Sequence, residues 1–148
     1  MSIMIAANIM TVGLSTVSGG TTVREALRIF RDTGTSRIPV VDHGKRVIGA
    51  VTTAGILAAV FPAVNPAAVP FSRIFERFRE CASKDVCDVM EMELMKVSPE
   101  TPVSDIAALI LNAGIRGVSD VMVVDGNGIL LGVISAGDVI ERLDEYAG

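Results

Sequence analysis

The chain has no tryptophan, one tyrosine, one histidine and two cysteines among 148 residues. Each scarcity removes a class of function. Without tryptophan, and with a single tyrosine, there is no aromatic platform on which the bases of a nucleic acid stack. A formal net charge of −4 likewise argues against nucleic acid as the main partner, because phosphate backbones select clustered Lys and Arg. Cys81 and Cys87 have no second pair and only the distant His43, which is not a zinc spacing, and two thiols make no disulfide framework. They read as reduced, partly buried thiols. His43 lies in a turn, Asp42-His43-Gly44-Lys45, where an imidazole is solvated. No Gly-x-Ser-x-Gly, P-loop or cluster of metal ligands occurs, so neither a catalyst nor a metal or cofactor requirement is expected. No apolar run reaches the roughly 18 uncharged residues a membrane span needs. Residues 49–69 come nearest, and Gly55, Pro62, Asn65 and Pro66 interrupt them. Residues 1–10 lack the basic region and cleavage site of a signal peptide, so they read as structure and the chain as cytoplasmic.

What is present is a globular composition, half hydrophobic and 20% charged. The length suits one domain or two half-size units sharing a core. One stretch organises the rest: Gly132-Val133-Ile134-Ser135-Ala136-Gly137-Asp138, which closes a hydrophobic run over 129–134 and opens a short apolar helix over 139–143. A hydroxyl and a carboxylate three residues apart share one face of the first helical turn. Two readings stand. Ser135 or Asp138 caps the helix; or the unpaired N–H groups receive an anion while Asp138 accepts hydrogen bonds from a ligand's hydroxyls, as a phosphorylated sugar would require.

In chain order, residues 4–10 form an apolar lead-in, 11–14 a loop and 15–17 a short strand. Thr21 or Thr22 caps a helix, with Glu25 at capping-box spacing, and Val23, Ala26, Leu27 and Phe30 form its apolar stripe up to Gly34. Residues 38–41 and 47–52 make a hairpin around the 42–45 turn, and a short helix covers 54–60. The proline-containing linker is 61–70. Residues 71–81 read as an amphipathic helix whose Ile74, Phe75 and Phe78 pack on the core; a partner-helix docking surface is the other reading.

From Asp88 the chain begins again. A shift of 80 residues aligns Met10 with Met90, Leu14 with Leu94, Val17-Ser18 with Val97-Ser98, Val23 with Val103 and Gly34 with Gly114. The shift then becomes 83, which places a three-residue insertion within 115–120, and Val40-Val41-Asp42 meets Val123-Val124-Asp125, Gly49 meets Gly132 and Thr52 meets Ser135. So many caps, turn glycines and strand pairs in one register mark an internal repeat. Each unit is strand-helix-strand-strand-helix and buries too little apolar surface to fold alone. The predicted class is α/β (α+β), with two such units packed with pseudo-twofold symmetry and a ligand cleft between them. The expected division is 1–60 for the first repeat, 61–84 for the linker and amphipathic helix, and 85–148 for the second repeat.

The repeat resembles the CBS domain, named after cystathionine β-synthase, in its tandem or Bateman arrangement. The resemblance is carried by Thr21-Thr22-Val23-Arg24-Glu25-Ala26 and Thr101-Pro102-Val103-Ser104-Asp105-Ile106, by residues 37–42 and 121–125, and by 132–138. It implies a regulatory binding module that takes an adenosine-containing ligand, AMP, ADP, ATP or S-adenosylmethionine. In such modules the Asp of Gly-x-x-[Ser/Thr]-x-x-Asp holds the ribose hydroxyls, the Ser or Thr contacts phosphate, and the partner repeat holds the adenine through backbone groups.

Carried onto this chain, the resemblance groups Asp138 and Ser135 with Met10, Gly13, Leu14 and Ser15, and with Thr35, Ser36 and Arg37. Arg37 would neutralise phosphate charge that Asp138 alone repels. A second, weaker site would draw on Thr52, Leu94, Met95 and Ser119. There Gly55 stands where the carboxylate belongs and the insertion lies opposite, so one ligand per chain is expected. The resemblance further implies a homodimer through the helices over 54–60 and 139–143, and an energy-sensing role toward a regulated partner on a separate polypeptide. A ligand-free dimerisation domain is the alternative reading, and a small enzyme the weaker one.

Overall fold

The predicted strand-helix-strand-strand-helix order occurs twice in the computed structural model, which describes residues 3–61, 66–113 and 120–148. The insertion, Gly114 and Ser119 lie outside the described residues, as do residues 62–65 of the linker. The chain divides into two compact units: residues 1–14 with 94–148, hereafter unit 1, and residues 15–93, unit 2. The sequence division counts 1–14 with the first repeat. In the compact units these residues go with the strands of the second, and 85–93 go with the strands of the first.

Unit 2 holds β1 (Val17–Ser18), α2 (Val23–Thr33), β2 (Arg37–Val41), β3 (Val47–Thr52), α3 (Thr53–Val60) and α4 (Phe71–Ser83); α1 belongs to unit 1. Thr22 starts α2 by accepting a hydrogen bond from the Glu25 amide at 3.2 Å, and Gly34 ends it at a φ of 71°. Val23, Ala26 and Phe30 are its buried stripe. β1 runs parallel to β2, and β2 antiparallel to β3 in the register Arg37↔Thr52, with an irregularity between Val40 and Val41. Ile38, Val40 and Val51 join Ile56 and Val60 of α3, and Ile74 and Cys81 of α4, in one core. The helix predicted over 71–81 therefore packs on the core through Ile74 and Phe78, but Phe75, expected there too, is exposed, and the helix runs two residues further.

Unit 1 holds α1 (Ala6–Ile9), β4 (Lys96–Val97), α5 (Val103–Ala113), β5 (Asp120–Val124), β6 (Leu130–Ser135) and α6 (Ala136–Ala147). Its sheet repeats the other in detail: β4 parallel to β5, β5 antiparallel to β6 with Asp120↔Ser135, and the irregularity again at the fourth residue, between Val123 and Val124. Ala6 and Ile9 of the lead-in complete the core of Ile106, Ile110, Val121, Val123, Ile134 and Val139. The lead-in is tied down by backbone bonds from Ala6 N–H to the Thr101 carbonyl (2.8 Å) and from Val103 N–H to the Met4 carbonyl (2.9 Å). α6 is longer than the 139–143 stretch read as apolar. Its last turns are charged, and Arg142 holds them by pairing with Glu145 at 3.4 Å and donating to the Asn8 carbonyl at 2.6 Å. Among the described residues no helix is long and apolar enough to cross a membrane.

Candidate ligand site

The strand-to-helix junction of unit 1 closes on itself. Ser135 Oγ accepts from the Asp138 amide at 3.2 Å, and Asp138 Oδ2 accepts from the Ser135 amide at 2.8 Å. This reciprocal pair is a capping box, so the capping role is real for both residues. It leaves half of the carboxylate. The other oxygen, Oδ1, accepts a hydrogen bond from Thr11 Oγ1 at 3.2 Å. A carboxylate has about four lone-pair positions, and these two bonds leave room for further hydroxyl donors. Ser135 and Asp138 are half-buried and Thr11 is exposed, so the group is reachable from solvent.

Thr11 is held there by its backbone. Its amide donates to the Val133 carbonyl at 2.9 Å and its carbonyl accepts from the Val133 amide at 3.0 Å. The approach requires glycine at 132: a Cβ there would lie 2.9 Å from Met10 Cγ and 2.9 Å from the Thr11 carbonyl oxygen. Met10 thereby packs on the β6 backbone three residues before Ser135. Gly13 follows with a φ of 71°, and Leu14 is 41% exposed. Of the nine residues grouped from sequence, unit 1 thus holds Asp138, Ser135, Met10, Gly13 and Leu14.

Unit 2 holds the other four, Ser15, Thr35, Ser36 and Arg37. Ser15, Thr35 and Ser36 are exposed. Thr35 Oγ1 donates to the Arg37 carbonyl at 3.0 Å, and the Ser36 carbonyl accepts from the Thr53 amide at 3.1 Å, which fixes the start of β2 against the start of α3. The Arg37 guanidinium is not turned to open solvent: its side chain is 11% exposed and its Nη2 lies 3.5 Å from Glu91 Oε2.

Glu91 and Thr11 were not singled out from sequence, although the 80-residue shift aligns them. Their backbones do the same thing. Ala50 and Glu91 exchange two bonds, at 2.9 and 2.8 Å, as Val133 and Thr11 do, and Gly49 admits Met90 as Gly132 admits Met10. At the corresponding junction Thr52, 5% exposed, accepts from the Gly55 amide at 2.8 Å. A Cβ on Gly55 would lie 3.0 Å from Thr52 Oγ1 and 3.4 Å, an ordinary contact, from the Val89 carbonyl oxygen. Leu94 and Met95 are half-buried ahead of β4, where the Met95 carbonyl accepts from the Met122 amide at 2.8 Å.

Elsewhere, unit 2 has an apolar cavity of about 400 Å³ between α3 and α4, lined by Ile56, Leu57, Val60, Ile74, Phe75 and Phe78 among others. Burial pushes the Cys81 thiol up from its ordinary pKa, and the nearby Lys84 charge partly opposes this. Cys87 is exposed. No group of three or more His, Cys, Asp or Glu among the described residues is arranged to hold a metal ion.

A family model described as the CBS domain matches residues 6–62 and 86–145. Among curated proteins, the chloroplastic CBS domain-containing protein CBSX1 of Arabidopsis thaliana is 27% identical over 139 residues, which cover 86% of this chain and 58% of that one. The chain thus spans less than two thirds of the length of that relative. Among solved structures, CBSX2 in complex with AMP has a TM-score of 0.77 at 23% identity, covering 97% of this chain and 98% of that one. The CBS-pair protein CBSX2 from Arabidopsis thaliana has a TM-score of 0.78 at 22% identity, covering 99% and 98%. The likeness to these structures is one of fold, and with two family matches spanning most of the sequence this chain belongs to the CBS-domain family as a tandem pair.

Proposed function

We propose that the protein is a regulatory module that binds an adenosine-containing ligand, with AMP as the first candidate, and signals its occupancy to a partner protein. The observation that carries this reading is the half-used Asp138 carboxylate. Oδ2 is committed to the helix cap, whereas Oδ1 accepts from an exposed hydroxyl, Thr11, that a ligand hydroxyl replaces or joins without breaking the cap. A pair of adjacent ribose hydroxyls suits such an acceptor. CBSX2, which shares the fold, has been solved with AMP, and that supports the choice of ligand class. Met10, half-buried beside the Asp138 partner Thr11, offers an apolar surface that an adenine ring packs against.

Self-association accompanies this reading. Leu57 of α3 and Ile140 of α6 are equivalent under the 83-residue shift and are 59% and 63% exposed, and Leu143 and Tyr146 extend the α6 stripe. A second copy covering these faces would make the homodimer that the sequence suggests. The module is regulatory in this account and performs no chemistry of its own.

A thermal-shift panel of AMP, ADP, ATP and S-adenosylmethionine tests the proposal. A ligand present at 100 times its dissociation constant stabilises the folded state by about 2.7 kcal/mol, so at least one of the four raises the melting temperature. No shift with any of them, at millimolar concentration, leaves the ligand-free dimerisation domain as the account of this fold.

A further inference from the structure

One helix is unmatched between the two repeats. In unit 2, α4 lies against α3 and helps to bury Val60, which is 4% exposed, with Ile74 and Phe78 in the same core. Arg77 fastens the two helices by donating from Nε to the Val60 carbonyl. Among the described residues unit 1 has no counterpart of α4. The consequence shows at Leu143, the equivalent of Val60 under the 83-residue shift, which is 53% exposed. Ile140 and Tyr146 stand three residues to either side of it, so the three form one uncovered apolar stripe along α6.

Unit 2 presents a surface that complements this stripe. Phe71, Phe75 and Arg79 follow one another at four-residue steps along α4 and are exposed, the two rings meeting edge to face with centroids 4.8 Å apart. Phe75 and Phe78 form one wall of the apolar cavity between α3 and α4, and Leu57 and Val60 belong to the other. A groove lined in this way suits the apolar face of an amphipathic helix. The charges also match. α4 carries three arginines and two acids and α3 no charged residue, whereas α6 carries four acids and one arginine. Two α6 helices laid on each other would set acid against acid; α6 laid on the α3–α4 face sets acids against arginines.

We infer that the α3–α4 face of one copy of this chain docks on the α6 stripe of a second copy, so that α4 gives a neighbour's α6 the cover it gives α3 in its own unit. Unlike faces meet in this contact, with apolar residues at its centre and Arg79 opposite the α6 acids at its rim. The inference rests on the self-association reading above and names the surfaces that carry it.

The test is sedimentation velocity over a range of concentrations on the full chain, on Arg79→Glu, on Asp144→Lys and on an equimolar mixture of the two variants. Both positions are exposed, so each variant keeps the parent's melting temperature; Glu141→Lys is the second α6 variant should Asp144→Lys fold poorly. Each variant alone associates about tenfold more weakly than the parent or worse, because like charges then face each other. The mixture recovers the parent's affinity to within about threefold, because there an acidic α4 meets a basic α6. If the parent self-associates and Arg79→Glu does so equally well, or if the mixture recovers nothing, the inference is overturned and other faces make the dimer. A parent chain that stays monomeric throughout overturns the self-association reading, and this inference with it.

Discussion

Thr11 Oγ1 donates to Asp138 Oδ1 across 127 positions of sequence, at 3.2 Å. The bond joins the lead-in of the first repeat to the helix start of the second. The matching lead-in residue, Glu91, meets Arg37 in place of a helix carboxylate. The two units therefore share a backbone plan and differ in charge at the point where a ligand's polar groups would be read. A neutral hydroxyl beside a carboxylate suits hydroxyl ligands, whereas at the equivalent lead-in of unit 2 a carboxylate faces a guanidinium.

The lead-in bridges depend on two glycines. An alanine at 132 would put its Cβ 2.9 Å from the Thr11 carbonyl oxygen, and one at 49 would put it 2.9 Å from the Glu91 carbonyl oxygen, both backbone atoms with no rotamer to move. Gly132→Ala and Gly49→Ala should each destabilise the fold by about 1–3 kcal/mol in chemical unfolding. Gly126→Ala, whose Cβ would meet nothing within 4 Å, should stay within about 0.5 kcal/mol of the parent. Equal stability of all three variants would mean that the lead-ins do not lie against β3 and β6 as described.

The two thiols should separate kinetically. Cys81 is 3% exposed and its pKa is raised by burial, so at any pH below that value less of it is thiolate than for an ordinary cysteine. Cys87 is exposed. A thiol-specific reagent at pH 8 should label one site quickly, identified by peptide mapping as Cys87, and reach Cys81 only when denaturant is added. Labelling of Cys81 at the Cys87 rate in the native protein would contradict the burial.

Stoichiometry reads out Gly55. The Thr52 hydroxyl is committed to the Gly55 amide and no carboxylate follows it, whereas Ser135 is followed by Asp138. Titration calorimetry should give one adenosine ligand per chain. Two sites of equal affinity would mean that Gly55 costs nothing and that another group, with Glu91 the nearest acid in the equivalent position, takes over the carboxylate's work.

Much of this fold was legible because it is written twice. Thr22 with Glu25, Gly34, the Val40–Val41 and Val123–Val124 pairs and the strand glycines Gly49 and Gly132 sit at matching spacings, and each marks a cap, a strand or a close approach. The lead-ins were not legible in the same way. Met4, Ile9 and Met10 are apolar without a period that names the sheet they cover, so the assignment of 1–14 to the strands of the second repeat needed tertiary contacts. Thr11 and Glu91 are single polar residues in irregular backbone, where no pattern singles out a side chain. The length of α6 was under-read because its last turns are charged, and charge alone does not show that Arg142 ties them to Asn8. At the site, spacing raised both the capping and the ligand reading of Ser135 and Asp138, and the capping box accounts for only one of the two carboxylate oxygens.

The central claim is that Asp138 holds a ribose, and titrating AMP into the parent and into Asp138→Asn tests it most directly. Asn retains an acceptor for the Ser135 amide, so the helix cap survives, but it loses the charge and one acceptor oxygen. The account predicts that AMP affinity falls by about 1.5–3 kcal/mol, roughly a 10- to 150-fold rise in the dissociation constant, with the melting temperature of the unliganded protein nearly unchanged. AMP binding with the same affinity in both proteins would contradict it.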